Sequence, residues 1–149
     1  MSNQFGTADA AEATTPLMGV DRASARLRNL LRANSAFSTL SGAIGVVAAG
    51  PAADFLGVEQ VWIIRLLGVG LLGFAGAVFA VSRTSTSTLA RWSQVISLND
   101  FAWVAGTVLV LLLGWLSTGG AITMGLIGLV VLELGLLQTK ARRRLIAGD

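Results

Sequence analysis

The chain has 149 residues, 54% of them hydrophobic, with 11 Lys or Arg against 8 Asp or Glu and a mean hydropathy of +0.73. It is too apolar for a soluble domain and long enough for about four short-looped membrane spans, so its formal charge of +3 belongs to cations flanking apolar runs and not to a nucleic-acid surface. Cysteine, histidine and tyrosine are absent, which excludes disulfides, thiol chemistry, Cys- or His-ligated metals and Ser-His-Asp catalysis.

The first 19 residues are small, polar and mildly acidic, with no basic start before an apolar run, so they read as a disordered tail and not as a signal peptide. Residues 20–32 follow as a basic amphipathic lead-in: Arg22, Arg26, Arg28 and Arg32 alternate with Ala23, Leu27, Leu30 and Leu31 at helical spacing. It would either lie along an anionic leaflet or form the first turns of span one. Span one is expected over residues 30–49, stopping before Pro51, which lacks an amide donor. Its small residues Ser38, Gly42, Gly45 and Ala49 recur at spacings of three and four. That is the pattern by which helices approach closely in lipid.

An acidic connection with Asp54 and Glu59 leads to span two at residues 61–81. Gly70, Gly73 and Gly76 give it a small-residue stripe able to accept span one. Arg65, a turn inside, can snorkel outward. A polar link with Arg83 and Arg91 precedes span three at residues 95–116, and a four-residue turn after it makes span four, residues 121–139, its antiparallel partner. The expected fold is therefore all-α: four transmembrane helices in two antiparallel hairpins, with residues 1–19 as a cytoplasmic tail and 20–149 as one membrane domain. Ten of the eleven cations fall on one side of the spans, which by the positive-inside rule places both termini in the cytoplasm.

Within span four, AITMGLIGLVVLELGLLQT, Glu133 is the sole ionisable residue, about 10 Å from Lys140 by helical rise. Asp100 and Asn99 open span three, Asn34 and Ser38 open span one, and Gln138 closes span four, all towards the same side. These six form a candidate polar layer. A charge within a span is costly by about 2.5–3.5 kcal/mol, so each acid must be paired, protonated or solvated, with Arg32, Arg83 and Arg91 as candidate partners. The bland role is to fix helix order; the sharper one is a vestibule where Glu133 takes a cation or proton, with Asn34 and Asn99 as neutral ligands.

Two strings, Leu31-Arg32-x-Asn34-x-x-Phe37-Ser38-x-x-Ser41-Gly42 and Asn99-Asp100-x-x-Trp103-Val104-x-Gly106, flank the glycine-rich second span. They resemble short four-span bacterial membrane proteins with no assigned activity. The resemblance spans residues 31–144 and implies a fold and a bacterial inner-membrane location, but no reaction. No P-loop, HExxH, CxxC or GxSxG motif is present. The function expected is a non-enzymatic structural or accessory component without cofactor, partnered by the bilayer and by further copies or a larger membrane complex. The alternative is a small ion- or proton-coupled transporter built around Glu133.

Overall fold

The computed structural model describes residues 6–148, with side chains from residue 19 onward. Five helices and no strands occur among the described residues: α1 (Gly6–Val47), α2 (Ala49–Leu56), α3 (Val61–Ser82), α4 (Thr86–Leu112) and α5 (Thr118–Ala147). Of the stretch expected to be a tail, residues 1–5 lie outside this description, as do the side chains up to residue 18; α1 begins at Gly6.

Helices α3, α4 and α5 are each long and apolar enough to cross a membrane. The part of α1 from Gly19 qualifies together with α2, but the two meet at 97°, so they add a fourth crossing only as one broken span. At 22 residues α3 is about 33 Å long, close to the roughly 30 Å of a hydrocarbon core. Large apolar side chains such as Leu40, Leu66, Leu109 and Leu129 point outward. That inverts the soluble arrangement and is compatible with a multi-pass membrane protein.

One stripe of α1, continued on α2, carries the packing. Ala23, Leu27, Leu31, Asn34, Ser38, Gly42 and Gly45 are all buried, at steps of three or four that keep them on a single face of α1, and Ala49 beyond the bend is buried too. The stripe changes chemistry along its length. At the end rich in cations, Leu27 and Leu31 pack with Val78, Leu89, Ala141 and Leu145 in an apolar cluster. In mid-helix the stripe turns polar, and beyond Gly42 it consists of small residues. The basic lead-in is thus part of the continuous helix α1, held in the bundle and not a separate surface helix, because its leucines find partners on α4 and α5.

Arginines close the basic end. Arg28 Nη1 donates to the Ser82 carbonyl at 2.8 Å, where the C-terminus of α3 leaves carbonyls without helical partners. Arg142 Nε donates to the Ala90 carbonyl at 2.7 Å, and its Nη2 donates to Gln94 Oε1 at 2.8 Å.

The link expected between spans two and three shrinks to residues 83–85. Residues 86–94, read as loop from their hydroxyls and charges, are the first turns of α4, since Leu89 and Ser93 face inward and Arg91 and Gln94 face out. Helix α1 ends at Val47, before Pro51, whose nitrogen carries no hydrogen for the Val47 carbonyl four residues back. The backbone turns at Ala48, and Pro51 falls in the first turn of α2, where a missing amide donor breaks no helical bond. At the opposite end α2 docks on the start of α5: Ser117 N–H donates to the Leu56 carbonyl at 2.9 Å and Ser117 Oγ to the Phe55 carbonyl at 2.6 Å. Gly57, with φ of 77°, closes α2 in the left-handed conformation that favours glycine.

Candidate functional site

Helices α1 and α3 meet at a close glycine contact. A Cβ on Gly68 would lie 2.8 Å from the Gly42 carbonyl oxygen, the Gly45 carbonyl carbon and the Val46 nitrogen, so the two backbones touch there. Gly42 and Gly45 do face α3, but the residue that receives them is Gly68. Gly70, Gly73 and Gly76, expected to form the receiving stripe, have nothing within 4 Å of a built Cβ. The buried face of α3 instead runs through Ile64, Gly68, Ala75 and Val78. Ser35 Oγ adds a hydrogen bond to the Ala75 carbonyl at 2.8 Å across the same interface.

A turn below that contact the polar part of the α1 stripe meets α4 and α5. Asn34 Nδ2 donates to Asp100 Oδ2 at 2.8 Å, and Gln138 Nε2 donates to the same oxygen at 3.3 Å. Ser38 Oγ, one turn along α1, donates to Asn34 Oδ1 at 3.4 Å. Asp100 is 3% exposed, Asn34 1% and Gln138 not at all. One carboxylate oxygen therefore ties three helices together in the interior. Behind it, Ser97 Oγ and Gln138 Oε1 are buried with no partner. The close approach of α5 depends on Gly135, whose built Cβ would sit 3.0 Å from the Phe101 ring and 3.5 Å from Asp100 Cβ.

The candidate layer thus divides. Asn34, Ser38, Asp100 and Gln138 are brought together; Asn99 and Glu133 are not, and both are exposed. Asn99 is exposed on the flank of α4 that faces the cleft towards α3, away from the Asp100 hydrogen bonds. Glu133 lies on the outward stripe of α5 with Ile122, Leu126, Leu129, Val130 and Leu136. The arginines suggested as partners take other roles. Arg83 stands over the Phe79 ring at 5.4 Å, while Arg32 and Arg91 are exposed, and no ion pair forms among the described residues.

Two cavities adjoin the cluster. One of about 270 Å³ lies between α1, α3, α4 and α5, and Asn34, Ser38, Ser41, Asn99 and Asp100 supply its polar wall. The other, about 820 Å³, separates α3 from α4 towards the acidic end and is lined mainly by apolar side chains, including Trp103, Trp115 and Ile63. Leu67, Asn99 and Trp103 border both, so the two spaces meet at the middle of α4.

No family model, curated protein or solved structure matches this chain. The site consists of carboxamides and a hydroxyl around one carboxylate.

Sequence reading missed Gly68 and Gly135. A signal for Gly135 was available, since Gly128, Val131, Gly135 and Gln138 repeat at heptad-like steps and all are buried. For Gly68 none distinguished it from the other glycines of α3.

Proposed function

We propose that this chain is a four-span integral protein of a bacterial inner membrane, with α1 and α2 forming one broken span and both termini in the cytoplasm. In this reading it is a non-enzymatic accessory component that binds a different membrane protein through the outward face of α5. The family resemblance and the asymmetry of the cations support the location and the orientation. The observation that carries the partner is Glu133. It stands on an otherwise apolar outward stripe, roughly two turns from Lys140, and makes no ion pair or hydrogen bond among the described residues.

A side chain on a helix leans towards the N-terminus, which turns Glu133 away from Lys140 and deeper into lipid. An acid there is stabilised by a donor or cation supplied from outside the bundle. A second copy packed symmetrically on this face would set Glu133 against Glu133, so the fitting occupant is an unlike subunit with Arg, Lys or a carboxamide at matching depth.

A photo-crosslinking residue at Leu129 or Leu136, with Phe79 on α3 as the control face, tests the proposal in membranes of the native host. Crosslinking to one defined protein from α5 but not from Phe79, lost in Glu133→Leu while the variant remains folded, is the expected result. Recovery of lipid adducts alone from all three positions would overturn it.

A further inference from the structure

We propose that the cavity beside Asp100 is a binding site for a single monovalent alkali cation. This inference concerns the bundle interior and is independent of any partner on α5. Asp100 lies inside a segment apolar enough to cross a membrane, is almost wholly buried, and is contacted by two neutral carboxamides and by no cation among the described residues. Both hydrogen bonds fall on Oδ2, leaving Oδ1 without a donor beside the cavity that Asp100 lines. A carboxylate so placed takes up a proton or is balanced by a bound cation.

The cavity wall has the composition that such an ion requires. Asn34, Ser38 and Ser41 from α1 and Asn99 from α4 present neutral oxygen-bearing groups around the one acid. Ser41 makes no hydrogen bond to the described residues, so its oxygen is available as a ligand. Oxygen ligands suit hard cations, and divalent ions are held most often by several carboxylates. Here the described residues contain no group of three or more acidic side chains, and Asp100 is the sole acid on the wall. One carboxylate with neutral oxygens matches a single charge. At about 270 Å³ the cavity has room for the ion and several waters, each of which occupies about 30 Å³ in the liquid. Entry is from the cleft between α3 and α4, which joins the cavity at Leu67, Asn99 and Trp103.

The test uses the full-length protein in mild detergent at neutral pH, with NaCl, KCl and choline chloride compared at equal ionic strength. Thermal unfolding and the fluorescence of the tryptophans, of which Trp103 lines the cavity, give two readouts. A saturable rise in melting temperature with sodium or potassium relative to choline is expected. In Asp100→Asn, which keeps an acceptor for Asn34 and Gln138, the apparent affinity falls by about tenfold or more, because the charge opposing the ion is gone. Equal melting in all three salts, or an undiminished response in Asp100→Asn, overturns the site. Should that variant fail to fold, Ser41→Ala decides: weakened cation affinity supports the site, and unchanged affinity overturns it.

Discussion

Replacing Gly68 with alanine probes the close backbone contact between α1 and α3. The added Cβ meets three backbone atoms of α1 at 2.8 Å, closer than real Cβ atoms come to a neighbour, and none of the three belongs to a side chain that could swing away. The helices must separate by several tenths of an ångström along the whole of their interface, including the Ser35–Ala75 hydrogen bond. Overpacking of this kind costs roughly 1–3 kcal/mol, and alanine returns about 1 kcal/mol through its helix propensity, leaving a net loss of up to about 2 kcal/mol. Gly73→Ala gains the same propensity and meets nothing within 4 Å, so it should be neutral or slightly stabilising. Unfolding each variant in mixed micelles with increasing denaturing detergent, followed by far-ultraviolet circular dichroism, compares the two. Equal stability of Gly68→Ala and Gly73→Ala would refute the assignment of Gly68 as the contact point.

Asn34→Leu removes the shorter of the two hydrogen bonds to Asp100 and should destabilise the bundle by about 1–2 kcal/mol, at the upper end for interhelical bonds in membranes. A double-mutant cycle with Asp100→Leu should recover most of that as coupling energy, and a coupling near zero would show that the pair contributes nothing. Gly57→Ala forces a side chain into a left-handed backbone conformation and 2.8 Å from Ser117 N, so the α2–α5 docking should loosen. Faster hydrogen exchange at the Ser117 amide, with exchange at the basic end unchanged, is the measurable consequence.

How far the sequence revealed this arrangement depends on which property of a residue was needed. Apolar length is local, so helices near the expected spans could be read directly, as could the small-residue face at Gly42 and Gly45. Angular position around a helix was harder. Asn99 and Asp100 are adjacent in the chain, yet one is exposed at the cleft and the other buried, and nothing in a polar pair says which will be enclosed. Glu133 drew attention because a charge stands out within an apolar run, whereas Asp100, nearer a polar stretch, is the acid that the fold encloses. Gln138, five residues beyond Glu133, shares the buried face with Gly135 and Val131 while Glu133 does not. Position along the chain gave the depth of these groups; their neighbours on other helices set their environment. The glycines of α3 show the same limit, because which of four gets used depends on the crossing point with α1, a tertiary quantity.

The triple junction at Asp100 also bears on the order in which the bundle can be built. Its two donors come from opposite ends of the chain, Asn34 on the first long helix and Gln138 on the last. During synthesis the acid emerges after Asn34 has been made but well before Gln138, and α5 is the helix whose Gly135 packs against Asp100 and Phe101. Until the final helix enters, Asp100 has one carboxamide donor and an open flank.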